Sequence, residues 1–171
     1  MEQHFSINIA EIKQKAKAKT GENQDFKAFL RNLSSKEIDA KVFALATEVS
    51  AKIDCLACAN CCKTLEPELK KAEISQLAAL KGMETAAFTE AYIYSDAGED
   101  IDFLKQKPCI FLENTACSIY ENRPFSCGDY PHLYKPYFKY RLKSIFRNYE
   151  MCPIVYHTVE GLKAALFFNK V

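Results

Sequence analysis

Eight cysteines are the residues of this chain whose type and spacing could do chemistry. Four of them lie within eight positions, in the stretch C-L-A-C-A-N-C-C, and four more follow downstream. Thiolates bind zinc and iron, and C-x-x-C spacing brings two sulfurs to the short separation that an ion or cluster requires. All eight are therefore candidate metal ligands: Cys55, Cys58, Cys61, Cys62, Cys109, Cys117, Cys127 and Cys152.

The first ten residues argue against a disulfide framework. They contain an early glutamate and no long apolar run, so no secretory signal is predicted, and we expect a cytoplasmic protein. In that reducing compartment a dense cysteine pattern more often binds metal than forms disulfides. The alternative is an exported protein whose cysteines are paired.

The spacing alone leaves zinc and an iron–sulfur cluster both open. The C-x-x-C-x-x-C run from Cys55 to Cys61 and the remote Cys152-Pro153 match parts of the ferredoxin pattern, but a closely spaced fourth cysteine is missing. Zinc sites commonly use two separate C-x-x-C pairs, and this sequence has no second pair. The expected cofactor is therefore zinc or iron, with an iron–sulfur cluster as one form of the latter.

The neighbouring pair Cys61 and Cys62 raises a question of geometry. Adjacent side chains are expected to point apart, so the two thiols should not share one zinc ion easily. Two metal centres, or one centre with an additional supporting or redox thiol, would account for all eight cysteines. Nearby Asp54, Asp129 and His132 are further candidate ligands, since carboxylate and imidazole groups also bind iron and zinc.

Three blocks in order carry a resemblance to a known family. They are C-L-A-C-A-N-C-C, P-C-I-F-L from Pro108, and C-S-I-Y-E-N-R-P-F-S-C from Cys117 to Cys127. Over about residues 55–153 the chain resembles the YkgJ-like CxxCxxCC cysteine-cluster family. The resemblance implies a zinc- or iron-chelating domain that uses the same cysteines. It departs after Cys127, where family members commonly have arginine and this chain has Gly128.

The elements around the cysteines predict an α+β fold that is predominantly α-helical. We expect one small domain, residues 34–171, with a cysteine-rich metal-binding core and short strands between helices, preceded by a lysine-rich helical arm over residues 1–33. Ser34 and Glu37 form a capping box before an apolar stripe at steps of three and four. Pro153 suits the first turn of a last helix.

The remaining elements are predicted from local pattern. A helix should begin at Pro67 and Glu68 and stop at Gly82, and a second should cover 84–92. Short strands are expected at 101–104 and 109–112, and the alternation F-K-Y-R-L predicts a half-exposed strand at 138–142.

Charge and motifs limit the other function classes. With 23 Lys and Arg against 22 Asp and Glu, the chain is not expected to bind nucleic acid or an anionic membrane, and no apolar run is long enough to span a bilayer. The expected partner is a metal ion, with a protein partner unidentified. No phosphate loop, dinucleotide fingerprint or nucleophile elbow is present, so enzyme activity is left undecided.

Two alternatives to simple metal binding stay open. One is an iron–sulfur redox protein or a component of a protein-modifying enzyme, because a similar cysteine module occurs in flagellin lysine methylases. The other is a nucleic-acid-binding module, since residues 130–149 interleave five cations with seven aromatic side chains.

Overall fold

The computed structural model of the chain describes residues 5–96, 98 and 100–168. The chain forms two compact units. The terminal unit comprises Met1–Cys55 with Pro131–Val171, and the central unit comprises Leu56–Tyr130. The predicted class is confirmed, because most described residues are helical and the strands are short and antiparallel.

In chain order, the described residues form the following elements: α1 (Ile9–Ala18), α2 (Thr20–Arg31), α3 (Ser35–Ser50), α4 (Cys55–Cys58), α5 (Asn60–Thr64), β1 (Glu68–Leu69), α6 (Lys71–Leu80), α7 (Thr85–Tyr92), β2 (Ile93–Asp96), β3 (Ile101–Leu104), β4 (Leu112–Glu113), β5 (Ala116–Cys117), a 3-10 helix (Tyr120–Asn122), α8 (Phe125–Asp129), a second 3-10 helix (Phe138–Tyr140), α9 (Leu142–Tyr149) and α10 (Pro153–Ala165).

Helices α3 and α10 supply the centre of the terminal unit. The predicted cap of α3 is confirmed, since the Ser34 hydroxyl accepts a hydrogen bond from the Glu37 amide. The predicted stripe is buried at Ile38, Val42 and Val49 and faces the apolar side of α10. Helix α10 begins at Pro153 as expected, because proline at the first turn gives up an amide that has no intrahelical partner.

The N-terminal segment is helical, as predicted, and contributes apolar side chains to the same unit. Ile12 of α1 and Phe26 and Leu30 of α2 are buried, while the lysines of α1 are mostly exposed. Residues 1–4 lie outside the described part of the chain. The proposed domain boundary after residue 33 stays a prediction.

The central unit has its own apolar core between helices α6 and α7 and a three-stranded sheet. The sheet order is β1-β3-β2, with both pairings antiparallel. Its core side chains are Leu69, Ile74, Leu77, Ala78, Phe88, Ile93, Leu104, Phe111 and Ile119. The cysteine-bearing segments are therefore attached to a packed scaffold.

The predicted helix start at Pro67 and Glu68 is wrong. Residues Glu68–Leu69 form strand β1, paired with Phe103 and Asp102, and this pairing buries Leu69. The helix starts at Lys71, where Glu73 accepts the amide of Lys70 at 2.7 Å. Local capping and strand pairing together override the helix signal of Pro67.

The predicted stop at Gly82 and the helix over 84–92 are confirmed. Gly82 has a φ of 69°, a left-handed conformation that favours glycine at the end of a helix. Helix α7 then covers Thr85–Tyr92, and the rings of Phe88 and Tyr92 pack with centroids 5.2 Å apart.

The strand predicted at 138–142 is wrong. Phe138–Tyr140 is a 3-10 helix and α9 begins at Leu142. The carboxylate of Asp39, on α3, accepts the amides of Tyr137 and Phe138 at 2.7 and 2.9 Å. Because a side chain takes the hydrogen bonds that a sheet partner would make, the alternating pattern does not form a strand.

Candidate metal centre

The early cysteines lie on two very short helices joined by a sharp turn. Helix α4 carries Cys55 and Cys58, and helix α5 carries Cys61 and Cys62. Between them Ala59 is buried and has a φ of 48°, which is uncommon for a residue with a side chain. The turn prevents one continuous helix and changes the direction in which the second pair is presented.

The thiols of Cys61 and Cys62 are in contact. Their sulfur atoms lie 4.0 Å apart, so the expectation that these neighbours point apart is wrong. A tetrahedral zinc ion with zinc–sulfur bonds of about 2.3 Å separates its sulfur ligands by about 3.8 Å. The pair is therefore close to the spacing at which two sulfurs share one ion.

A backbone hydrogen bond joins the first cysteine block to the second. The amide of Cys109 donates to the carbonyl oxygen of Cys62 at 2.8 Å. The chain then turns, with the amide of Leu112 bonded to the carbonyl oxygen of Cys109 at 2.9 Å. Of the strand predicted at 109–112, only Leu112 is in a strand, because Cys109 belongs to this turn.

Cys117 is placed by a two-stranded hairpin. Strand β4 pairs with β5 so that Leu112 faces Cys117, and the turn between them contains Asn114 with a φ of 56°. Asparagine tolerates this left-handed conformation better than most residues do. Cys109 and Cys117 both pack, partly buried, against the apolar core of the central unit.

Cys127 lies on helix α8, which is fastened to the sheet and to α6. The amide of Phe125 donates to the carboxylate of Glu73, and the hydroxyl of Ser126 donates to the carbonyl oxygen of Glu68, both at 2.7 Å. The Cys127 amide donates a hydrogen bond to the Pro124 carbonyl oxygen at 3.0 Å, which forms the first turn of α8.

Cys62 has the most acidic thiol of those whose pKa departs from the ordinary value. Hydrogen bonding with Cys61, aided by the positive charges of Lys63 and Arg123, lowers the pKa of Cys62 to about 7, although partial burial opposes the change. A substantial fraction of this thiol is therefore thiolate at neutral pH, and the thiolate is the form that binds metals.

Three other thiols of the central unit have a raised pKa. Burial raises the pKa of Cys109 and of Cys117, and the negative charge of a nearby Cys62 thiolate raises both further. Desolvation raises the pKa of Cys127 to about 12, with added repulsion from Cys109, Cys62 and Cys117. The Cys127 side chain nevertheless keeps an exposed surface.

The structure thus brings some predicted ligands together and not others. Cys62, Cys109, Cys117 and Cys127 interact electrostatically, and Cys61 contacts Cys62. Within residues 5–96, 98 and 100–168, no three His, Cys, Asp or Glu side chains converge in a way that could hold an ion. Cys152 is buried before α10 in the terminal unit, and Cys55 is the last residue of that unit's first segment.

Sequence reasoning missed Arg123 as part of this site. Its guanidinium group lies 3.8 Å from the centre of the Tyr120 ring, and its charge helps to lower the pKa of Cys62 and partly offsets the rise in the pKa of Cys117. Arg123 also lines a shallow cleft of about 350 Å³ with Phe125 and Asp129. The only signal for it was its place between two cysteines in the block Cys117 to Cys127.

Comparison with known proteins identifies this cysteine arrangement. Residues 54–153, more than half of the chain, match the CxxCxxCC family, which is described as a "putative zinc- or iron-chelating domain". The chain belongs to the CxxCxxCC family. The recognised resemblance is confirmed, and family membership supports a metal-binding role. No curated protein and no solved structure matches the chain.

The CxxCxxCC domain spans the whole central unit and reaches the first residue of α10. In the described part of the chain, no helix combines the length and apolar character needed to cross a membrane. All eight cysteines are thiols in the structure, none of them paired in a disulfide.

Proposed function

We propose that this CxxCxxCC protein binds a zinc or iron ion through the thiolates of Cys62, Cys109, Cys117 and Cys127. The observation that carries the proposal is the joining of separate cysteine blocks in the central unit. The Cys109 amide donates a hydrogen bond to the Cys62 carbonyl oxygen at 2.8 Å, and Cys109 and Cys117 pack against the same apolar core. Soft sulfur donors in this number suit zinc and iron better than magnesium or calcium.

The electrostatics of the four thiols supports the same conclusion. Each thiolate formed disfavours the next, because the groups repel one another. A divalent cation reverses this relation, since it stabilises every thiolate that it binds. Binding would then release the protons that Cys109, Cys117 and Cys127 hold at neutral pH.

Binding requires the thiol side chains to move from the arrangement in the structure, where no three candidate ligands among the described residues converge. The segments themselves are fixed by backbone pairing, by the hairpin and by the bonds of α8 to Glu73 and Glu68. Rotation about the Cα–Cβ bonds is therefore the movement that we propose. Such a site would be ordered by the metal and not fully preformed.

The remaining cysteines stay predicted ligands. Cys61 is adjacent to the proposed centre, and Cys55, Cys58 and Cys152 are assigned to no centre. When bound, zinc held by four thiolates would act structurally, whereas an iron–sulfur cluster would add electron transfer and would support a role as a component of a redox or protein-modifying enzyme. We propose a cytoplasmic location, because a dense cysteine pattern that binds metal is more common in a reducing compartment.

Metal analysis of protein purified without oxygen tests the proposal. We expect stoichiometric zinc or iron, with a brown solution and visible absorption if a cluster is present. Cys127→Ser should lose the ion of this centre, whereas Thr64→Ala, on the same helix as Cys62 but without a sulfur change, should retain it. Protein without either metal, with all eight thiols titrating freely, would overturn the proposal.

A further inference from the structure

Three tyrosines project from one segment of the terminal unit. Tyr134, Tyr137 and Tyr140 are 53, 63 and 74% exposed, although tyrosine rings are usually at least half covered in folded proteins. The rings of Tyr137 and Tyr140 meet at a steep angle with centroids 6.4 Å apart, and Tyr134 packs beside Phe43 at 6.3 Å. We call residues 132–141 the tyrosine loop.

The loop is held in place by two side chains of the same unit. The nearly buried carboxylate of Asp39 accepts the amides of Tyr137 and Phe138. The guanidinium group of Arg141 donates to the carbonyl oxygens of His132, Lys135 and Pro136. The backbone is therefore fixed while the three tyrosine rings stay outside.

The backbone of the tyrosine loop includes two residues in the left-handed conformation. Tyr137 has a φ of 62°, in the left-handed region that residues with large side chains rarely occupy, and His132 has a φ of 64°, which histidine adopts more readily. Such residues persist where the surrounding structure holds them, and they are frequent at binding sites. The bonds from Asp39 supply that support at Tyr137.

The charge of this region is strongly one-sided. Residues 131–149 contain five of the chain's 23 Lys and Arg and none of its 22 Asp and Glu. Lys135 of the loop and Lys143 and Arg147 of α9 are exposed, and the last two are four residues apart on one helix. The segment that carries the exposed rings is thus basic in sequence, although the Asp39 carboxylate is bonded to its backbone, and this composition favours an anionic partner.

We propose that the tyrosine loop binds single-stranded nucleic acid, with Tyr134, Tyr137 and Tyr140 stacking on bases and the exposed cations contacting phosphates. Proteins that bind single-stranded nucleic acid commonly use exposed aromatic rings, which stack on the bases, together with cations that contact the phosphates. A half-buried strand with a solvated basic side would explain the same sequence pattern, but the structure has no strand there. This function is independent of the proposed metal centre, which lies in the central unit.

Fluorescence anisotropy of the full, metal-loaded protein with a labelled uridine dodecamer tests the proposal. We expect binding at low salt that weakens with salt, since contact of three cations with phosphates lowers affinity about 20-fold between about 50 and 200 mM salt. Tyr137→Ala and Tyr140→Ala should each weaken binding about fivefold or more. Tyr140→Ala leaves the strained residue untouched and so separates binding from any change in loop folding.

Phe167→Ala is the matched control, because Phe167 is 86% exposed in the same unit but lies outside the loop. It should leave affinity unchanged. Absence of binding at low salt, equal affinity for a duplex of the same length, or equal losses from Phe167→Ala and Tyr140→Ala would overturn the proposal. Displacement of the dodecamer by an equal charge concentration of polyglutamate would do the same, since it would indicate a protein-binding or nonspecific basic surface.

Discussion

Removal of the Asp39 carboxylate should destabilise the terminal unit more than any exposed substitution. Asp39 is 9% exposed, and its two oxygens accept the amides of Tyr137 and Phe138 at 2.7 and 2.9 Å. A hydrogen bond to a charged group stabilises a protein by about 1.5–3 kcal/mol, and a buried amide left unpaired carries its own penalty. Because the hydrogen bond to the exposed Tyr137 is only part-buried, we expect Asp39→Ala to cost about 3–4 kcal/mol.

Urea unfolding followed by far-ultraviolet circular dichroism measures this change. With a denaturant slope of about 2 kcal/mol per molar urea, the midpoint should fall by about 1.5–2 M. Asp39→Asn keeps one acceptor oxygen and turns an amide group towards the other amide, so it should lose about half as much stability. Asp25→Ala, at an exposed position of α2, should change stability by less than about 0.5 kcal/mol.

A loss of less than about 1 kcal/mol for Asp39→Ala would refute this reasoning, because it would mean that the two amides find water or other acceptors readily. An asparagine variant as stable as the unsubstituted protein, beside a large loss for alanine, would show that packing, and not the pair of hydrogen bonds, determines the effect.

Three further changes have definite expected outcomes. In metal-free protein, the rate at which iodoacetamide alkylates Cys62 should rise with pH through a midpoint near 7, because the thiolate is the form that reacts. Arg123→Gln should raise that midpoint. A midpoint near 9 in the unsubstituted protein would contradict the assigned contacts. Gly82→Ala should lower unfolding free energy by about 1 kcal/mol, whereas Gly21→Ala, inside α2 with open space around it, should raise it slightly. Lys163→Met should lower the free energy of unfolding by about 3–5 kcal/mol, because Glu160, Glu22 and Asn23 lose the donor that they share. Lys41→Met, at an exposed position, should leave the free energy of unfolding unchanged. Similar effects of the two substitutions would refute the network.

Helices whose signals are local were predictable from the sequence. The cap at Ser34, the stop at Gly82 and the first-turn Pro153 each act through the residues next to them, and the structure has all three. The strand at 138–142 was not predictable in this way, because Asp39 determines that conformation from about a hundred positions away. Strand β1 is similar, since its partner lies beyond two helices in the sequence.

The candidate site likewise has features that the sequence predicts and features that depend on residues distant in the sequence. Spacing and family resemblance identified the cysteines, since thiol chemistry is a property of the residue type. They did not indicate that the Cys109 amide donates a hydrogen bond to the Cys62 carbonyl oxygen, or that Arg123 lies near the thiols. Both facts depend on the hairpin of β4 and β5 and on α8. The expected separation of Cys61 and Cys62 failed because side-chain rotation brings their sulfurs to 4.0 Å.

X-ray absorption at the edge of the bound metal measures which atoms hold the ion. In protein purified without oxygen, we expect about four sulfur atoms at about 2.3 Å from the metal, and loss of one sulfur or of the ion in Cys62→Ser and Cys127→Ser. A first shell made of oxygen or nitrogen, or a sulfur shell unchanged in both variants, would contradict the proposed metal centre.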